Sequence, residues 1–344
     1  MSRSLSSLRQ ILSRNAAARG AFAALALLYL LALLAPVLSP YDPDDESRAH
    51  SWAPPSRIRL DGFRPYVHPV SFTFDDQARR VYVEDTASKA YLAPFAGGRL
   101  LGLRQEASNA GTARLYLLGA DSRGRDLLSR LLEGSRISLT IGVVGVAIST
   151  FVALLVGGIS GFAGGRVDWL LMRTCEVVML VPGFYLLMLL RAALPLDWDS
   201  RVVYLSIVLI LSFIGWAGLA RVVRGLVLSL RERDHVVAAR ALGVPSWRIL
   251  VRHVLPHTWG FLAIQATLSI PGYIVAESGL SLLGLGIQDP QTSWGNLLQE
   301  AMSIAEIRLH PWSLLPGVFL FVAVLSWNLV GDALRDAFDP RGDE

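Results

Sequence analysis

Six apolar runs limit what this chain can become. They cover residues 21–38, 137–162, 169–194, 202–220, 259–283 and 312–331, and each is long enough to cross about 30 Å of hydrocarbon at roughly 1.5 Å per residue. Lipid offers no partner for a bare peptide N–H or C=O, so runs of this kind must be helices. The expected class is an all-α membrane protein with about six transmembrane helices. With 53% of residues hydrophobic and 17% charged, the chain carries more apolar surface than a soluble domain of its size needs.

Between the runs the character changes sharply. Residues 1–20 hold Arg3, Arg9, Arg14 and Arg19 and no acid. The run at 21–38 is longer than a secretory signal core and lacks a small-residue cleavage site, so it reads as an uncleaved first span. Residues 39–117 are polar, proline-rich and aromatic, with alternation at 70–74 and 80–83 that predicts a small β-rich insertion. In 118–136, Leu127, Leu128, Leu131 and Leu132 share one helical face and Arg123, Arg130 and Glu133 the other, the pattern of an amphipathic surface helix. The transmembrane domain proper is expected at 137–332. Within it the loop 221–257 has seven arginines against Glu232 and Asp234, and arginine in short loops marks the cytoplasmic side. An even span count then places the tails at 1–20 and 333–344 in the cytoplasm and the 39–117 insertion outside. Gly157, Gly161 and Gly165 are spaced for close helix packing.

Several chemistries have no basis in the sequence. Lys89 is the only lysine and lies in no glycine-rich turn, so no phosphate-cradling P-loop can be built. The six histidines form no HExxH pattern, no serine sits in a GxSxG elbow, and Cys175 alone makes neither a disulfide nor a thiolate metal site. The arginines are dispersed between spans, unlike a nucleic-acid patch. No catalytic residue, metal or cofactor is expected, and lipid is the evident surrounding.

The arginine-rich loop has the properties of a docking element. Asp234-His235-Val236-Val237-Ala238-Ala239-Arg240-Ala241-Leu242 combines helix formers with small side chains that let another protein approach. Gly243 supplies a C-terminal turn, and Pro245 and Ser246 start a second helix that leads to Leu255 and Pro256. A solvated connection between spans is the competing interpretation.

At this point the chain resembles the inner-membrane permeases of binding-protein-dependent ABC importers, in particular the dipeptide/oligopeptide permease C type. The resemblance rests on Ala238, Ala239, Gly243, Leu255 and Pro256, which match the family's coupling signature, with Val237 standing where the family often has glutamate. Three more stretches are similar: 118–126, 276–286 and 336–341. The resemblance implies a type I ABC importer fold and ATPase docking through the coupling loop, with Arg240 included in the contact. It also implies partners: ATP-binding cassette ATPase subunits, a second homologous permease and an extracytoplasmic solute-binding protein. Peptides are then the leading substrates, with nickel chelates or other small solutes as alternatives.

Charges inside spans are costly and invite a functional interpretation. Arg173 and Glu176, three residues apart, share a helical face. They read either as a structural ion pair facing other helices or as part of a translocation path. Glu277 follows Pro271 and Gly272, which can break a helix where it lines a cavity. It reads as a hydrogen-bonded interface carboxylate, a substrate contact or a proton relay. The last of these defines the competing function, a proton-coupled secondary transporter.

Overall fold

The computed structural model describes residues 16–76, 80–94, 101–105, 113–195 and 198–338. The N-terminal arginines Arg3, Arg9 and Arg14 and the Asp339–Arg341 part of the C-terminal match lie outside them. Among the described residues, five helices are long and apolar enough to cross a membrane, or up to six spans if one bent pair is counted as a span. The helices are α1 (Ala16–Leu38), α2 (Leu127–Ala163), α3 (Gly165–Leu180), α4 (Gly183–Ala192), α5 (Ser200–Leu230), α6 (Asp234–Ala241), α7 (Ser246–Ile249), α8 (Trp259–Leu282), α9 (Trp294–Gln299), α10 (Ile304–Leu309) and α11 (Leu315–Phe338). By contacts the chain divides into two units, one of Met1–Leu25, Leu139–Leu280 and Phe321–Glu344, the other of Ala26–Ser138 and Ser281–Leu320.

The second unit contains the insertion. Strands β1 (Arg59–Asp61), β2 (Arg64–Val67), β5 (Ala90–Pro94) and β6 (Leu101–Gln105) form an antiparallel sheet, and β3 (Val70–Phe74) pairs with β4 (Arg80–Glu84). The β3–β4 register sets Phe72 opposite Tyr82, so the alternation seen at 70–74 and 80–83 is a genuine strand pair. Val67, Ala90, Ala113 and Leu115 make the small core of this unit.

The amphipathic surface helix expected at 118–136 takes a different form. Residues up to Asp126 are a turn, and from Leu127 onward the segment is the start of α2. Asp121 organises the turn: its Oδ1 accepts the backbone N–H groups of Arg123 and Arg125, both at 2.9 Å. Gly124, at φ +74°, passes so close to the Ser47 carbonyl that a Cβ would lie 2.0 Å from its oxygen. Asp126 caps α2, accepting from the Ser129 N–H at 2.8 Å and hydroxyl at 2.7 Å, while burial pushes its carboxyl up to about 6. Arg130 is buried rather than solvated, because Asp121 and, at 2.7 Å, Asp289 pair with it. Arg125 pairs with the same two carboxylates at 2.7 and 2.9 Å. Burial alone would raise Asp289; the Arg130 and Arg125 guanidinium groups overcome it and hold the carboxyl below its ordinary range.

The first unit is a helical assembly in which α2 meets α5 at near backbone contact. A Cβ on Gly157 would lie 2.4 Å from the Ala220 carbonyl oxygen, and one on Gly161 2.7 Å from that of Arg224. Gly165 does not share this packing; at φ +57° and with open space around it, it makes the α2–α3 turn. The run at 169–194 is not one straight helix, since α3 and α4 meet at an 82° bend. Val181 is extended there, as the residue before Pro182 must tend to be. Pro271 and Gly272, which can break a helix, do not do so here, and α8 continues through both residues. Ile270 and Ile274, on either side of that proline, pack onto Gly142 of α2, each 2.9 Å from where a Cβ would stand.

These contacts predict opposite outcomes for two alanine substitutions. Gly157→Ala overpacks the α2–α5 crossing and should cost about 1–3 kcal/mol. Gly225→Ala, with nothing within 4 Å, should be neutral or gain up to about 1 kcal/mol of helix propensity. Thermal unfolding in detergent checks both, and a Gly157→Ala variant as stable as its parent would contradict the packing described.

Candidate functional site: the loop between α5 and α8

After Leu230 the chain leaves α5 through Arg231 and re-enters a helix at Asp234, whose negative charge favours the α6 N-terminus. α6 stops after two turns in a Schellman arrangement. The Gly243 N–H donates to the Arg240 carbonyl at 3.0 Å and the Val244 N–H to that of Ala239 at 3.2 Å. Gly243 sits at φ +76°, where only glycine is unstrained. Pro245 then precedes α7, and the chain tightens and loosens through a π turn at Leu250–Val254 and a 3₁₀ turn at Leu255–Thr258 before α8.

The loop has two faces of opposite character. Inward, Val236, Ala239, Ile249 and Val254 pack with Val223 and Val227 of α5 and Leu262 of α8 in one buried cluster. Two arginines add to this attachment. Arg231 donates from Nη1 to the Gly161 carbonyl at 3.0 Å, and the Arg240 guanidinium lies 5.9 Å from the centre of the Phe162 ring. Outward, Val237 is 48% exposed, Leu242 83% and Trp247 64%, with Ala238, Arg240, Ala241 and Gly243 exposed among them. The outer side of a loop that is polar by composition thus carries three exposed large apolar side chains.

The sequence-derived site residues therefore separate. Ala238 and Gly243 are on the outer face, Arg240 is exposed but sets its guanidinium against Phe162, and Pro256 is also exposed. Ala239, expected to meet a partner, is only 7% exposed and faces inward; in a helix the residues at 236 and 239 share a face, and Val236 fixes that face to the core. Leu255 is half-buried, its Cδ2 3.2 Å from a Cβ built on Gly158. Glu277 is elsewhere, on α8 and fully enclosed, with the Ser278 hydroxyl donating to its Oε2 at 3.4 Å.

Charged groups within spans also behave differently from one another. Arg173 and Glu176 do pair, at 2.8 Å, but their side chains stay 59% and 45% exposed. A second pair went unnoticed in the sequence: Arg224 of α5 grips Asp168 of α3 with two nitrogens, at 2.9 and 2.5 Å, and the Ser160 hydroxyl of α2 donates to the same carboxylate. Helical spacing finds partners within a helix, not across three.

Residues 112–343 match the family described as binding-protein-dependent transport system inner membrane component, and residues 6–55 the N-terminal TM domain of oligopeptide transport permease C. The oligopeptide transport system permease protein OppC of Haemophilus influenzae is 40% identical over 66% of this chain and 70% of its own length. OppC of Bacillus subtilis is 36% identical over 66% of this chain and 72% of its own length. The dipeptide transport system permease protein DppC of Bacillus subtilis is 37% identical, over 66% and 69%. With its spans, its loop geometry and these matches taken together, the chain belongs to the binding-protein-dependent transport permeases, the membrane-spanning subunits of ATP-binding cassette importers.

Proposed function

We propose that this chain is the C-type permease of a peptide importer, which docks an ATPase through the outer face of α6 and α7, pairs with a second permease and receives di- or oligopeptides from a solute-binding protein. The observation that carries the docking assignment is the apolar outer surface of Val237, Leu242 and Trp247, held on a helix whose other side is part of the core formed by α5 and α8. A push on this surface is a push on those two spans. Peptides are favoured over nickel or other small solutes because the similar proteins are named as oligopeptide and dipeptide permeases.

ATP hydrolysis is assigned to the partner, since the one lysine, Lys89, is paired with Asp61 at 2.6 Å in the β insertion. Closure of the ATPase pair on nucleotide would then supply the differential binding that shifts the permease between its inward-open and outward-open states. Glu277 is taken as a structural carboxylate in this scheme, and proton coupling has no part in it. Both termini and the α6–α7 loop are placed in the cytoplasm on the strength of the loop arginines, and the β insertion on the outer side.

Three expectations test this. Phe63→Cys, fully exposed at the β1–β2 turn, should react with an impermeant maleimide in intact cells, whereas Ser246→Cys should react only after permeabilisation; the reverse order overturns the orientation. Leu242→Asp buries a charge in the docking interface at a cost of several kcal/mol, so ATPase co-purification and peptide uptake should fall together while the membrane level of the permease is retained. Ala239→Asp should instead destabilise the permease itself, by about 3 kcal/mol or more; parent-level ATPase association by Leu242→Asp would refute the assigned face. Gly243→Val should cost roughly 1–3 kcal/mol of backbone strain without any clash, because the site is open. It should reduce coupling measured as peptide transported per ATP hydrolysed.

A further inference from the structure

A group of charged side chains on α3 and α5 remains unused by docking. Arg173 lies eight residues into α3, and Arg221 directly follows the apolar run at 202–220 of α5, so both are near the ends of their spans that carry the loop arginines. The Arg173–Glu176 pair is exposed and lines a concavity together with Arg221 and Arg224 of α5. Arg221 is exposed as well, and among the described residues its guanidinium makes no ion pair, with only the Met179 sulfur at 3.9 Å. Two concavities, of about 420 and 300 Å³, meet at Met172, Arg221 and Arg224.

Lipid is a poor neighbour for this surface, because charged residues in spans face water-filled cavities or protein. Arg173, Glu176 and Arg221 sum to one positive charge, since Arg224 is neutralised by Asp168. Around that charge lie Met172 and Met179, flexible thioethers that adapt to side chains of differing shape. A free guanidinium recognises carboxylate, and methionines beside it tolerate whatever is attached.

We propose that Arg173, Glu176 and Arg221 line a water-filled segment of the translocation path, where Arg221 meets the carboxylate of the passing solute and Met172 and Met179 accept its variable side chains. This rests on the importer assignment above.

The test uses the full complex of both permeases and the ATPases in proteoliposomes, with Cys175→Ala as background. Arg221→Cys should react from the ATPase side with a sulfonate-bearing methanethiosulfonate in the nucleotide-free state, and saturating peptide should slow the reaction at least about fivefold. Leu33→Cys, on the exposed apolar face of α1, should stay inert. Arg221→Gln should lower peptide uptake about tenfold at parental ATPase association, as expected for loss of one charge-assisted contact, and Arg221→Lys should recover part of it. If Arg221→Cys fails to assemble, Glu176→Cys is read in the same way. A cysteine at either position that is inert in every nucleotide state, in a complex whose parent transports peptide, overturns the path. Reactive cysteines in a complex whose parent moves no peptide with ATP would leave the aqueous surface standing and refute the peptide-importer assignment instead.

Discussion

The burial of one apolar stripe governs what the loop between α5 and α8 can do. Eight residues of α6 could not hold a helix in water, where isolated helices of that length are marginal. Val236 and Ala239 supply what propensity cannot, by packing with Ile249 and Val254 against Val223, Val227 and Leu262. The same contact fixes which residues face out, since Leu242 and Val237 can be exposed only because Val236 and Ala239 are not. A loop that is polar by composition thus acquires an apolar outer surface, joined to two spans by one buried cluster. Arg231 and Arg240 extend the attachment to the end of α2.

Much of this was legible in the sequence, for reasons that can be named. Spans announce themselves because hydrocarbon imposes a length and an apolar composition. Gly243 could be assigned its left-handed turn because it follows a run of helix formers, and β3 and β4 could be found from alternation alone. What escaped was nearly always a matter of partners distant in sequence. Ala239 looks like Ala238 in a string of small residues, and only the core formed by α5 and α8 tells them apart. Arg130 reads as a solvated charge until Asp289 arrives from 159 residues away. The Asp168–Arg224 pair joins two helices whose adjacency no periodicity encodes.

Proline illustrates the same limit within one protein. Pro182 breaks its run and Pro271 does not. The difference lies in what surrounds each: Ile270 and Ile274 clasp Gly142 across Pro271, so tertiary packing keeps α8 whole where local preference would bend it. At Pro182 the extended Val181 leads to a new helix direction, and the resulting bend divides the third span into α3 and α4. The polar surface on α3 and α5 lies on the Gly165 side of that bend.

The central claim is that the outer face of α6, and not its Ala239 side, meets the ATPase. Site-directed cross-linking tests it most directly. In a permease with Cys175→Ala, a cysteine at Val237 or Leu242 should form a bismaleimide bridge to cysteines placed on the ATPase surface, in yields that change with bound nucleotide, while a cysteine at Ala239 should not. Efficient bridging from Ala239 with none from Val237 or Leu242 would contradict the account.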